Sequence, residues 1–120
     1  MSICYDLRFP NLYRTLALQG AQLLVVPSAF TRPTGQAHWH TLLKARAIEN
    51  ACYVLAPAQC GSHPGGRETY GHSLIIDPWG EVVAEADGDT PGVITALIDP
   101  ERVAAVRAQI PVLAHHQEMK

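Results

Sequence analysis

The chain opens on Ser2-Ile3-Cys4-Tyr5-Asp6-Leu7-Arg8-Phe9-Pro10, and this stretch limits what can follow more than any other. A short apolar run ends on a cysteine, polar residues come at once, and a proline stands ready to start a helix, where its missing N–H leaves no bond unmade. The pattern predicts a strand that stops at Cys4 and hands over to a helix, so the thiol lies at a strand's C-terminal edge. Ligands in α/β sheets gather at that edge. A thiol beside a helix N-terminus also meets partial positive charge, which favours the nucleophilic thiolate. A small buried hydrophobe is the other reading, since free cysteines are among the most buried residues.

The rest of the chain alternates in the same way. Leu12, Tyr13, Leu16 and Ala17 recur at helical spacing, with Gly20 as the stop. Leu23 to Val26, bounded by Gly20 and Pro27, reads as a buried strand. Residues 27–37 read as a loop leaving that strand on the same edge as Cys4, and loops there commonly build sites. A helix is expected from about Ala37 to Asn50, with Trp39, Leu42, Leu43, Ala47 and Ile48 as its apolar side. Lys44 and Arg46 near its end suit the dipole. Tyr53 to Pro57 reads as a third strand, 61–71 as a loop, Leu74 to Ile76 and Glu81 to Ala86 as a hairpin, and Val93 to Ile98 as a further strand. Asp99-Pro100 announces a last helix that carries Val103, Val106 and Ile110 and stops at Pro111. The tail from Ala114 is polar and reads as loose. The order predicts one α/β domain.

Composition excludes several functions. The chain has 120 residues, 48% hydrophobic and 17% charged, with a formal net charge of -2. It can bury a core, and it carries no basic block to suit nucleic acid or an anionic membrane. No apolar run reaches the roughly 20 residues of a membrane span. Three cysteines, Cys4, Cys52 and Cys60, form no CxxC pair, which argues against a disulfide framework and for a reducing, cytoplasmic setting. Six histidines are present, but His38-x-His40 and Cys60-x-x-His63 find no second pair to complete a zinc pattern. No metal and no cofactor are expected.

Ile3-Cys4-Tyr5-Asp6-Leu7-Arg8-Phe9-Pro10 resembles the nucleophile segment of the nitrilase, or carbon–nitrogen hydrolase, superfamily, and of its Nit-type amidase branch. The likeness continues in order through Pro27-Ser28-Ala29-Phe30-Thr31, Ala37-His38-Trp39, Ala45-Arg46-Ala47-Ile48-Glu49-Asn50, Ala58-Gln59-Cys60-Gly61, Tyr70-Gly71-His72-Ser73 and Asp77-Pro78-Trp79-Gly80, to Ile110-Pro111. Each motif alone is weak; their order and spacing are specific. The resemblance implies an α-β-β-α four-layer sandwich, of which residues 1–120 would be the C-terminal half. It implies Cys4 as nucleophile, the Tyr5 backbone N–H as an oxyanion donor, and Ser28, Ala29, Phe30 and Thr31 as the border of a pocket for a small linear amide. It implies no metal, and a homodimer.

The family design also needs a glutamate and a lysine, both on the N-terminal side of the cysteine, where only three residues stand here. Asp6, Glu49 and Glu68 are the candidate acids to replace the base. Asp6 reads better as a turn or cap partner, and Glu49 as half of an internal ion pair, as does Arg8. The chain departs from the family pattern at His40, where His-Trp-Glu is usual, at Asn11, and at His115-His116-Gln117. The expectation is a fragment that carries the nucleophile without its base and is inactive alone. The competing reading is a non-catalytic interaction module that pairs with a separately made N-terminal half. A cysteine-dependent redox protein is a third, and it lacks a resolving cysteine at useful spacing.

Overall fold

The computed structural model describes residues 1–117. Four strands form a mixed sheet in the order β1-β2-β5-β6: β1 Leu23–Val25, β2 Tyr53–Ala56, β5 Leu74–Ile76 and β6 Val82–Glu85. β1 runs parallel to β2, while β2 with β5 and β5 with β6 are antiparallel. The chain is α/β, with a mixed sheet and helices consistent with half of the four-layer sandwich that the resemblance implies.

Register sorts the side chains by face, because neighbours along a strand point to opposite sides. Leu24, Val54, Ala56, Leu74 and Ile76 share one face, and all are buried. Helices α1 (Pro10–Leu18) and α3 (His40–Asn50) supply the rest of that core through Tyr13, Ala17, Leu43 and Ala47, joined by Leu7, Phe30 and Trp39. The opposite face is only partly closed: Leu23 is 38% and Val83 46% exposed, and Val25 and Leu55 are half-buried.

The expected first strand is present as two bonds. Ser2 and Cys4 donate N–H to the carbonyls of Val25 and Pro27, each at 2.9 Å, so 2–4 runs parallel to β1 at the sheet edge. A 3-10 helix, Cys4–Arg8, begins on the cysteine itself.

Several expectations change. The helix expected from Ala37 starts earlier: α2 (Arg32–Thr34) runs through a π-helical stretch, Gly35–Trp39, into α3. Pro33 is tolerated because it falls in the first turn. Gly35 is required because a Cβ there would lie 2.3 Å from the Tyr70 Cβ. On α3, Ile48 faces solvent at 54% exposure instead of joining the apolar side, and Arg46, expected only to suit the helix dipole, lies buried.

The expected loop 61–71 contains a hairpin, β3 (Cys60–His63) with β4 (Arg67–Tyr70). Its strands are too polar to read as strands, but Pro64-Gly65-Gly66 between them, with both glycines at positive φ, is a hairpin turn.

The expected strand Val93–Ile98 makes no ladder among the described residues. The segment keeps the alternation of a strand, with Val93 90% and Leu97 87% exposed and Ile94, Ala96 and Ile98 half-buried. Alternation alone cannot make a strand without a partner backbone.

The last helix, α4 (Pro100–Gln109), forms as expected. Asp99 caps it by accepting from Glu101 N–H at 2.9 Å, and Val103 and Val106 are buried. Ile110 is 47% exposed. Arg107 ties α4 to the end of α3, donating to the carbonyls of Ala51 (3.2 Å) and Ala21 (2.7 Å). The expected loose tail lies partly outside the described residues, which end at 117. Among the described residues no helix is long and apolar enough to cross a membrane.

Candidate functional site

Cys4 sits where an extended edge turns into a helix, and its backbone takes the strained left-handed region at φ +43°. A non-glycine residue held there costs about 1–3 kcal/mol and persists only where its surroundings fix it. Those surroundings are visible. Cys4 N–H is tied to Pro27 O, and Ser2, buried one step earlier, joins its hydroxyl to Tyr13 OH at 2.7 Å. Asp6 accepts Ile3 N–H on its carboxylate at 3.0 Å and accepts Phe9 N–H on its carbonyl, which is the turn-partner role expected of it. Leu7 O accepts two bonds from the buried Arg46, from Nε at 3.1 Å and Nη2 at 2.8 Å. The short helix is thus bolted to α3.

The half-exposed Cys4 side chain borders two cavities. The larger is an open cleft of about 600 Å³, walled by Pro27, Ser28 and Ala29 after β1, by Pro57, Ala58 and Gln59 after β2, and by Ser73 and Gly92. These loops meet because parallel β1 and β2 end on one edge and antiparallel β5 begins there. A smaller cavity of about 250 Å³ lies on the other side of Cys4, between Tyr5, Arg8, Ala29, Phe30, Thr31 and Thr34.

All four residues of the expected pocket loop therefore lie beside Cys4, but they divide between two cavities with Ala29 common to both. The Ser28 hydroxyl turns back to Val26 O at 3.2 Å, and Ser28 N–H and C=O bond to the chain after β2. Phe30 is 7% exposed, tilted on Trp39 at 4.9 Å, with the Arg8 guanidinium 5.3 Å above its ring. Thr31 starts the helix, its hydroxyl 2.8 Å from that of Thr34 and its carbonyl accepting from Gly35. Tyr5 lies in the first helical turn, where N–H groups find no acceptor within the helix; its ring is 66% exposed and rests edge-on against Phe9.

Among the described residues these cavity walls hold no carboxylate, imidazole or ammonium group, and Arg8 is their one charged side chain. The acids weighed as replacement bases are engaged elsewhere. Glu49 pairs with Arg46 at 3.4 Å, as expected, and Glu68 pairs with Arg32 at 3.1 Å. Arg8 makes no ion pair among the described residues, contrary to expectation; besides covering Phe30 it donates to His38 Nδ1 at 3.3 Å. Cys52 is fully buried, and burial pushes its thiol pKa up, only partly offset by Arg107.

Gln59, Ser73 and Gly92 were not expected at the site. The signal for the first two was available: they belong to Ala58-Gln59-Cys60-Gly61 and Tyr70-Gly71-His72-Ser73, and each flanks a strand end on the Cys4 edge. Ser73 Oγ accepts Ala58 N–H at 2.8 Å and so fixes the far wall. The structure also gathers His40, His72 and Glu85, whose ligand atoms lie within 4.8 Å of one another. Spacing along the sequence could not find this group, since its members come from α3, from the turn before β5, and from the end of β6.

Comparison with known proteins agrees with this architecture. The carbon-nitrogen hydrolase family model matches residues 1–108. A deaminated glutathione amidase of Synechocystis sp. is 58% identical over 115 residues, covering 96% of this chain but 42% of that protein. The crystal structure of the C. elegans NitFhit protein superposes with a TM-score of 0.89 at 51% identity, over 98% of this chain and 28% of that one. A mutant amidase from Nesterenkonia sp. AN1, with acrylamide added at its active-site cysteine, superposes with a TM-score of 0.71 at 32% identity, over 91% of this chain and 42% of that one. The chain thus spans about two fifths of the length of these curated relatives. With its sheet, its helices and its motifs in the order of that family, the chain belongs to the carbon–nitrogen hydrolases.

Proposed function

We propose that this chain is the nucleophile-bearing, C-terminal part of an amidase that releases ammonia from a small linear amide, of the ω-amide or deaminated-glutathione type. The observation that carries the reading is Cys4: a left-handed residue at the sheet edge, clamped on its backbone and opening on a cleft of small side chains. Cys4 Sγ attacks the amide carbon, and the carbonyl oxygen takes the displaced electron pair. Tyr5 N–H donates to that oxyanion, the kind of contact that makes acyl transfer fast. The C–N bond then breaks, nitrogen leaves as ammonia with an added proton, and a thioester remains on Cys4. Water attacks the thioester, and the acid and the free thiol are restored.

Proton transfer in both halves needs a base. The family resemblance assigns it to a glutamate, with a lysine at the oxyanion, and both belong to the part of the family domain that this chain does not span. Ser28, Ala29, Phe30 and Thr31 border the acyl group, whose orientation backbone groups fix. The chain alone is inactive, because nucleophile and base act as a unit. A family N-terminal half is its partner, and the joined domain forms a homodimer in the cytoplasm.

A non-catalytic role as a pairing module is the second reading, favoured by the unpaired 93–98 segment with its exposed Val93 and Leu97. One assay separates the two. Ammonia release from a panel of ω-amides is followed for the chain alone, for the chain with a family N-terminal half, and for Cys4→Ala in both settings. No release alone and Cys4-dependent release on complementation supports the amidase. Complex formation without release supports the pairing module, and release by the chain alone overturns the inactive-fragment reading.

A further inference from the structure

His40, His72 and Glu85 lie outside the Cys4 cleft and play no part in the reaction proposed for it. Both imidazoles face the same carboxylate oxygen: His40 Nε2 is 3.2 Å and His72 Nδ1 3.1 Å from Glu85 Oε2. A tetrahedral ion bound at about 2.0–2.1 Å holds its ligand atoms about 3.3 Å apart. Both separations are within a few tenths of an ångström of that edge, and all three ligand atoms lie within 4.8 Å of one another, so an ion enters as the three side chains draw to that common separation.

The geometry is held from several sides. His40 begins α3, and Glu85 ends β6. His72 sits on a left-handed backbone at φ +56°, with its carbonyl accepting from the Trp39 indole at 2.8 Å. The Tyr70 ring lies 4.3 Å from His72 and meets His40 edge-on at 6.0 Å, which limits how either imidazole can turn. Gly88 completes the enclosure: a Cβ there would come within 2.6 Å of His72 Nε2, so glycine leaves the room the ring occupies. All three side chains keep partial exposure, between 28% and 39%, which leaves an open position for water.

From this convergence we infer that His40, His72 and Glu85 form a binding site for a divalent transition-metal ion, with Zn(II) as its reference ligand. Two imidazole nitrogens and one carboxylate oxygen suit such an ion, and solvent supplies the remaining position. The ion ties the start of α3 and the end of β6 to the turn whose next residue, Ser73, walls the Cys4 cleft. Its role is structural: it fixes that wall and takes no part in the amide chemistry.

The test is calorimetric titration of the 120-residue chain with Zn(II), alongside His40→Gln, Glu85→Gln and the control His115→Gln. Far-UV circular dichroism establishes that each variant keeps its fold. The expected result is one Zn(II) per chain, with affinity at least about tenfold weaker in each site variant and unchanged in the control. Co(II) in place of Zn(II) gives visible d–d bands without a thiolate charge-transfer band, which separates this site from the cysteines. No binding, equal affinity in His40→Gln and Glu85→Gln, or loss in His115→Gln overturns the inference and leaves a hydrogen-bonded cluster.

Discussion

The two faces of the sheet differ in how completely this chain finishes them. Under α1 and α3 every layer is present: Leu24, Val54, Ala56, Leu74 and Ile76 meet Tyr13, Leu43, Ala47 and Trp39, and all are buried. On the other face, and along the Cys4 edge, partners run out. Among the described residues the 2–4 strand is two bonds long, 93–98 has the alternation of a strand without a ladder partner, and Cys4 opens on a cleft with no base in its walls. The closed face holds the cysteine still, whereas the open edge offers it no titratable partner among the described residues. On the amidase reading proposed above, positioning and reactivity come from different parts of the family domain.

Mutations sort along this divide. Trp39→Ala on the closed face has the largest expected effect. The ring is fully buried, packs on Phe30 and donates to His72 O, so its loss costs about 3–5 kcal/mol in denaturant unfolding. Arg46→Ala follows, at about 3 kcal/mol. It removes a buried guanidinium that serves Leu7 O twice and leaves that carbonyl without its partners. It also frees the short helix that carries Cys4, so amide-exchange protection should fall at Leu7 and Arg8 more than in β2.

Leu97→Lys on the open side changes stability by no more than about 0.5 kcal/mol, because Leu97 is already 87% exposed. A larger loss would mean that the segment is packed and the faces are less unequal than described.

The smallest effect concerns pH. The Asp87 carboxyl accepts from the Thr90 hydroxyl and N–H and from Asp89 N–H, which hold its pKa at about 2, below its ordinary 3.8. Because the folded value is the lower one, the stabilisation is complete above the unfolded pKa and is lost as pH falls through the folded one. The 87–92 turn should therefore keep its protection at pH 5 and lose it between about 4 and 2, and Asp87→Asn should remove that dependence. Amide exchange at Asp89 and Thr90 follows it directly.

What could be read in the sequence follows the same divide. Helices and strands of the closed face were legible because one buried face imposes a period: Tyr13, Leu16 and Ala17 for a helix, whose Leu12 faces outward, and a bounded apolar run for β1. Cys4 was legible from its change of residue type, and the Asp6 cap from its place beside the turn. The hairpin 60–70 was not, since its strands bury little and only the Gly65-Gly66 turn betrays it. The strand expected at 93–98 failed for the opposite reason. Its pattern was right, but pairing depends on a neighbour that pattern cannot supply. Arg46 was read only for its charge near the helix end, because its target, Leu7 O, is distant in sequence and meets it only through the fold. His40, His72 and Glu85 escaped notice for that reason too.

The most direct test of the account is to find the acyl group. The chain complemented with a family N-terminal half is given an ω-amide, quenched in acid during turnover, digested, and its cysteine peptides weighed. The account predicts an acyl thioester on the Cys4 peptide alone, absent when the chain is tested without its complement. An acyl group on Cys60 or Cys52, or ammonia release with Cys4 unmodified and replaceable by alanine, would contradict it.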